Sequence, residues 1–99
     1  MAQVIYGTDI VLELQAWRDK AALNLTGANG LNVRLVKYSG ATIDITPVVV
    51  DAVNGVMDCQ VTAAQLNETG PWEGQLSGTE ANGAAIAGSL PSFYVHPRL

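Results

Sequence analysis

The side chains best suited to catalysis in this sequence are a single histidine and a single cysteine. His96 lies near the C-terminus, and no cysteine or serine stands beside it in an activation motif. Cys59 shares the apolar alternation of Met57 and Val61, which is typical of a small buried side chain. A general base or a nucleophile needs convergent partner groups. We therefore expect no catalytic residues and no enzymatic activity.

Three aspartates could be interpreted as calcium ligands, because Ca²⁺ binds several oxygen atoms from loops. The spacing of Asp44, Asp51 and Asp58 matches no calcium-binding loop, and Asp44 and Asp58 fall on the solvent side of two alternating runs. Asp51 and Asp9 have the positions of turn residues, whose side chains accept backbone hydrogen bonds. No zinc spacing, phosphate-binding loop or nucleophile elbow occurs. We expect neither a metal nor a cofactor.

The aromatic side chains are better suited to binding. Trp17 falls on the side of its alternating run opposite the apolar residues, so it either caps the end of the core or anchors a contact with a partner. Tyr38 and Tyr94 lie close to strand ends, where a phenol ring can pack while its hydroxyl stays in water. Trp72 alternates with polar neighbours and is predicted to lie in the core.

Apolar and polar residues alternate along most of the chain with a period of two, which predicts β-strands. The alternating runs are 10–17, 31–37, 43–50 with an interruption at Pro47, 57–61, 72–79 and a last short strand at Phe93 and Val95. Ser39-Gly40, Asn54-Gly55 and Asn82-Gly83 lie between runs and predict three hairpins.

One segment departs from this alternation. Thr62 is followed three residues later by Gln65, a capping box that begins a helix, but Gly70 and Pro71 follow within a few residues. A single short helical turn is therefore predicted, placed to carry the chain from one sheet to the other. With about seven short strands, the sequence predicts an all-β fold, an immunoglobulin-like antiparallel β-sandwich formed by one domain over residues 1–99.

Composition limits the partners of this chain. Its 99 residues carry a net charge of -4 with only 5 Lys and Arg, too few for the basic surface that nucleic acid requires. No run approaches the ~18 apolar residues of a membrane span, and the N-terminal residues lack the pattern of a secretory signal. We expect a protein made in the cytoplasm that binds neither nucleic acid nor membrane. A charged fraction of 14%, against about 25% in typical domains, indicates either a large core or a surface partly hidden against something else. The many alanines and glycines add little bulk to a core, which favours the hidden surface.

The stretch from Ala81 to Leu90 is nearly free of charge and poor in bulky side chains. A strand of alanine and glycine permits close backbone approach, so we expect this stretch at a sheet edge or against a neighbouring subunit. Together with the exposed aromatic positions, it supplies the candidate interface residues, which are Trp17, Tyr38, Ala84, Ala85, Ile86 and Tyr94.

Several short motifs follow one another along nearly the whole chain. They are Tyr6-Gly7-Thr8-Asp9 before the first long strand, Leu23-Asn24-Leu25-Thr26-Gly27-Ala28, the segments 50–56 and 62–66, Trp72-Glu73-Gly74-Gln75-Leu76 and Phe93-Tyr94-Val95-His96-Pro97. Their order and spacing resemble a phage virion domain best known as the N-terminal domain of phage baseplate upper proteins. Two positions depart from that pattern, since Asn24 replaces an aspartate and Trp72 a tyrosine. The resemblance implies a phage structural module with an immunoglobulin-like fold.

The function predicted from these features is that of a non-enzymatic bacteriophage virion protein. It would bind other phage structural proteins in repeated copies within a symmetric assembly, as a baseplate or tail adaptor. A capsid decoration protein that cements the shell is an alternative, which would also belong to the virion but lie on the capsid. A second alternative is a carbohydrate-binding module that stacks sugars on Trp17 and Tyr38.

Overall fold

In the computed structural model, which describes residues 4–97, the chain forms ten β-strands and no helix among those residues. They are β1 (Val4–Ile5), β2 (Ile10–Gln15), β3 (Trp17–Arg18), β4 (Ala21–Ala22), β5 (Asn29–Val36), β6 (Thr42–Ile45), β7 (Val48–Asp51), β8 (Val56–Val61), β9 (Gly70–Thr79) and β10 (Ala85–His96). The predicted all-β class is confirmed. The strands beyond the predicted seven, β1, β3 and β4, have 2 residues each, too few for an alternating pattern to show.

Two sheets enclose the core. The larger has the order β1-β10-β9-β5-β6 and the smaller the order β2-β8-β7, while β3 and β4 form a separate two-stranded hairpin. All pairs are antiparallel except β1 with β10. The central strands β10, β9 and β5 take the places of strands G, F and C of an immunoglobulin domain, and β2, β8 and β7 those of B, E and D. The predicted antiparallel β-sandwich is confirmed.

Alternation along the strands directs apolar side chains inward, as predicted. Met57, Cys59 and Val61 of β8 are buried, and so are Trp72 and Gly74 of β9. The main core cluster joins the two sheets and consists of Val33, Leu35, Cys59, Val61, Leu66, Trp72 and Val95. A smaller cluster lies towards the other end of the sandwich and consists of Ala16, Leu25, Met57 and Ile86.

The three predicted hairpins are present, and a fourth is added. Gly40, Gly55 and Gly83 adopt positive φ in the β5–β6, β7–β8 and β9–β10 turns. The additional hairpin joins β3 to β4 through Asp19 and Lys20, at φ 51° and 66°. Its turn lacks the glycine that is typical of such turns, so the sequence did not predict this hairpin. The first long strand ends at Gln15, two residues earlier than the alternation predicts.

The short helical turn also forms, between β8 and β9. The N–H of Thr62 donates to the side-chain Oε1 of Gln65 at 2.9 Å, and the N–H of Gln65 approaches Thr62 Oγ1 at 3.3 Å. These reciprocal bonds are the capping box predicted for this segment. The N–H of Leu66 donates to the carbonyl of Thr62, closing a single turn that carries the chain from the smaller sheet to the larger.

The last strand is longer than predicted. It begins at Ala85, and a bulge between Leu90 and Phe93 interrupts its pairing with β9. Before the bulge, its alanine, glycine and serine residues give no clear alternation of apolar and polar side chains. β1 pairs with β10 only at Val95 and His96. Among the described residues, the segment 85–90 therefore has a strand on one side only, and we call its other side the open edge.

Candidate functional site

The candidate interface residues lie at opposite ends of the sandwich. Tyr38 lies at the Trp72 end, which we define as residues 37–41, 67–72 and 93–96; a Cβ on Gly70 would approach its ring atoms at 3.2 Å. Tyr94, which pairs with Pro71, lies there too. The Trp17 end comprises residues 16–25, 52–55 and 80–85. The ten residues of β9 separate the two ends, about 30 Å at 3.3 Å per residue.

Trp17 is an exposed side chain on a small hairpin. Its side chain is 61% exposed, so it does not cap the core. It pairs with Ala22 across the hairpin, and the neighbouring Arg18 forms an ion pair with Glu80 at 2.7 Å. Trp17 is therefore accessible, as the second of its two predicted roles, that of a contact anchor, requires.

Backbone hydrogen bonds fix the base of this hairpin to the sandwich. The N–H of Ala16 donates to the carbonyl of Gly55 at 2.9 Å, and the N–H of Leu23 donates to the carbonyl of Ala16 at 2.8 Å. The N–H of Leu25 donates to the carbonyl of Ala52 at 2.7 Å. The indole is therefore presented from a fixed position, which lowers the entropy lost when a partner binds it.

An apolar cleft of about 460 Å³ opens beside Trp17, between β2 of the smaller sheet and the open edge of β10. It is lined by residues 13–18, Leu23, Leu76 and residues 86–90. The charged residues of this lining are Glu13 and Arg18. The tryptophan, the cleft and the open edge form one continuous surface at the Trp17 end, which is the candidate binding site.

The prediction for Ile86 is wrong with respect to its side chain. Ile86 is 5% exposed and packs in the smaller core cluster with Leu25 and Met57, so its side chain is not available to a partner. Because side chains alternate between the two faces of a sheet, Ala85 and Ala87 on either side of Ile86 are exposed. Ala84 and Ala85 are exposed, as a contact surface requires.

Cys59 and His96, the two side chains best suited to catalysis, contact neighbours in the folded chain as follows. Burial raises the pKa of the Cys59 thiol, which keeps it protonated and unreactive. The His96 ring lies beside the ring of Tyr94, with centroids 4.9 Å apart and the ring planes tilted by 53°. Within residues 4–97 no group of three His, Cys, Asp or Glu side chains converges as metal ligands, and no helix is long and apolar enough to cross a membrane.

The aspartates take part in local hydrogen bonds, as predicted for two of them. Asp9 accepts the N–H of Ala63 at 2.6 Å, and Asp51 accepts the N–H of Asn54 at 3.3 Å. Asp44 lies on the exposed face and accepts Arg34 Nε at 2.8 Å. The Arg34 hydrogen bond lowers the pKa of this carboxyl below its ordinary value.

The sugar-binding alternative required Trp17 and Tyr38 to act as stacking platforms. The two rings lie at opposite ends of β9, so they do not form one continuous platform for a short glycan. The other tryptophan, Trp72, is buried and so offers no surface on which a sugar could stack.

Sequence reasoning missed the link that closes the Trp72 end. The carboxylate of Glu68 accepts the backbone N–H of Ser39 at 2.6 Å and its hydroxyl at 2.9 Å. The carbonyl of Glu68 accepts the indole N–H of Trp72 at 3.0 Å. Because Ser39 and Glu68 are far apart in the chain, no local pattern could have revealed this contact.

No family model matches this chain, and no curated protein matches it at a significant level. The resemblance to the N-terminal domain of phage baseplate upper proteins therefore stays a prediction carried by the motifs themselves.

Proposed function

We propose that this protein is a non-enzymatic structural component of a bacteriophage virion that binds neighbouring subunits in a symmetric assembly, as a baseplate or tail adaptor. The observation that carries the binding role is the exposed indole of Trp17, held on a fixed hairpin beside an apolar cleft. The phage assignment rests on the order of the sequence motifs. The low charged fraction of the chain supports a surface that is covered in an assembly.

Trp17 has the properties of an interface anchor. Tryptophan is among the residues that contribute most binding energy, because its large ring loses much water-exposed area when it enters a pocket. Its hairpin is already ordered by the contacts of Ala16 and Leu23, so little conformational entropy remains to be lost. In an assembly with many copies, modest contacts of this kind add up through multivalency.

The decisive experiment replaces Trp17 in the virus and measures how many copies the purified particles retain. Trp17→Ala should reduce incorporation strongly, since loss of an anchor of about 2 kcal/mol weakens a contact roughly 30-fold. Its thermal unfolding should stay close to that of the parent, because the side chain lies outside the core. Normal incorporation of Trp17→Ala would contradict the proposal.

A matched variant at the other end of the molecule is Tyr38→Ala. It also removes an exposed aromatic ring, but from the Trp72 end. Retained incorporation of this variant would assign binding to the Trp17 end. The opposite pattern, in which Tyr38→Ala is lost and Trp17→Ala is retained, would place the contact surface at the wrong end for this proposal.

The position of the protein in the particle separates the remaining candidates. Copies labelled and located at the tail support the adaptor, whereas copies on the capsid face support the decoration protein and overturn the adaptor. Binding to a glycan array that Trp17→Ala abolishes would instead favour the carbohydrate-binding module.

A further inference from the structure

The open edge of β10 has unused backbone hydrogen-bonding groups whose positions follow from the strand register. The N–H of Glu80 donates to the carbonyl of Ala84, where the β9–β10 hairpin begins. Hydrogen-bonded pairs alternate along an antiparallel ladder, so residues 86, 88 and 90 bond to β9. Ala85, Ala87 and Ser89 consequently direct their N–H and C=O groups away from β9, towards the open edge.

Three of the other outer strands of the two sheets carry acidic residues that this segment lacks, and the fourth, β1, has only 2 residues. Asp44 lies on β6, Glu13 on β2 and Asp51 on β7. Charged side chains on outer strands discourage pairing with other chains. The segment 85–90 contains no charged residue and no proline, so it is the outer segment best prepared to accept another strand.

We propose that the open edge binds the same edge of a second copy of this chain, in antiparallel orientation about a two-fold axis at Ala87. The inference rests on the proposed function and deepens it, because it identifies one of the neighbouring subunits as a second copy. The pairing joins the two five-stranded sheets into one continuous sheet.

The spacing of the unused groups makes the edge complementary to itself. With the axis at Ala87, this residue lies opposite Ala87 of the second copy, and Ala85 lies opposite Ser89. Each of the three residues offers one donor and one acceptor, so every unused group on one copy finds a partner on the other. Two-fold interfaces use the same patch on both subunits in this way.

The charges and shapes at the edge favour a second copy. Each chain carries a net charge of -4, yet the side chains that would meet are uncharged methyl and hydroxymethyl groups. The approach therefore brings no like charges together along the two paired segments. The apolar clefts of the two copies, each with Leu14, Leu76 and Leu90 in its lining, would then face each other and lose water.

The contact covers one short strand segment, so it belongs to the small interfaces of weak or transient complexes, below about 1,200 Å². We expect reversible dimers of the purified chain. In sedimentation velocity over a concentration series, the measured mass should rise from that of one chain towards that of two.

Charge substitutions at Ala87 test the partner and the register together. Ala87 is exposed, so Ala87→Glu and Ala87→Lys should fold normally. Each variant alone should be monomeric, because identical charges would lie directly opposite one another. An equimolar mixture of the two should recover dimers, since glutamate then lies opposite lysine. The control Ala87→Ser, which adds no charge, should dimerise like the parent.

A parent chain that stays monomeric at every concentration overturns the inference, and so do charge variants that dimerise unchanged. A mixture that fails to recover dimers also overturns it, and would indicate another register or a strand from a different protein. None of these results bears on the particle test of Trp17→Ala. A monomeric chain that enters particles through Trp17 would contradict the dimer and leave the proposed function standing.

Discussion

The two ends of the sandwich are closed by different means. At the Trp72 end, packed side chains close the sandwich. Trp72 is fully buried, and the ring centroid of Phe93 lies 5.7 Å from that of Trp72. The ammonium of Lys37 lies 5.7 Å from the centroid of the same indole. Glu68 ties the β5–β6 turn to this cluster through Ser39.

At the Trp17 end, the backbone does this work. The carbonyls of Ala16, Ala52 and Gly55 accept the hydrogen bonds that hold the hairpin. A large side chain is therefore not needed to close this end, and Trp17 is left exposed. Two residues of the same type thus have opposite surroundings, since Trp72 is buried in the core and Trp17 is exposed on the surface.

The largest expected effect comes from removing the buried tryptophan. Trp72→Ala should lower the free energy of unfolding by about 3–5 kcal/mol, the cost of a cavity left by a large aromatic side chain. In a domain of this size each kcal/mol corresponds to about 4–8 °C in Tm. Calorimetry or denaturant unfolding measures the loss. Trp17→Ala is the control, with an expected change within about 1 kcal/mol, and similar losses in both variants would contradict the comparison.

The next test concerns the backbone contacts of the Trp17 end. Gly55 has φ 69°, and a Cβ there would lie 2.5 Å from the carbonyl oxygen of Leu23 and 2.9 Å from that of Ala16. Gly55→Ala should therefore cost more than the ~1–2 kcal/mol of left-handed backbone strain alone. Gly40→Ala is the matched control, because its φ is 93° but its Cβ would meet open space. Equal losses would show that the close approach contributes nothing.

A smaller effect is expected from the link that Glu68 makes at the Trp72 end. Glu68→Gln keeps the shape of the side chain but replaces one carboxylate oxygen, so a charge-assisted bond to Ser39 is lost. We expect a loss of about 1–2 kcal/mol in the free energy of unfolding. Glu73→Gln, which changes an exposed carboxylate on β9, should change it by no more than about 0.5 kcal/mol. Equal free energies of unfolding for Glu68→Gln and Glu73→Gln would show that the Glu68 link does not stabilise the Trp72 end.

The smallest effect lies outside both ends, at the exposed pair of Arg34 and Asp44. The hydrogen bond from Arg34 is the main cause of the lowered pKa of Asp44, and Asn32 adds to it. A carboxyl with a lowered pKa in the folded state stabilises the protein above its unfolded pKa, and this contribution is lost as the pH falls through the acid range. The difference in stability between the parent and Asp44→Asn should therefore shrink from pH 7 towards pH 3. A difference that grows on acidification would contradict this assignment.

Much of the fold could be predicted because its signals are local. The alternation of Met57, Cys59 and Val61 shows which face of β8 is buried, and the reciprocal bonds of Thr62 and Gln65 follow from their spacing. The β3–β4 hairpin escaped prediction because Asp19 and Lys20 adopt left-handed backbone without a glycine. For the first half of β10 the sequence predicted a position at a sheet edge but not which face is buried, because alanine and glycine carry little contrast between faces.

The candidate site could be predicted only in its components. Trp17, Ala84 and Ala85 were recognised from their types and surroundings, and the structure gathers them at one end. Ile86 was included with them although it points into the core. Tyr38 was placed in the same set although it lies at the far end of β9.

The sequence by itself determined the strands, the principal turns and the lack of charge between Ala81 and Leu90, because these depend on neighbouring residues. Tertiary structure alone decided that β1 pairs with β10 at Val95 and His96 and that, among residues 4–97, segment 85–90 is left with its open edge beside the cleft. It also decided that Trp17 stays exposed instead of capping the core. Both features depend on pairings between distant segments of the chain. Local alternation of apolar and polar residues does not indicate which strands will be neighbours in a sheet.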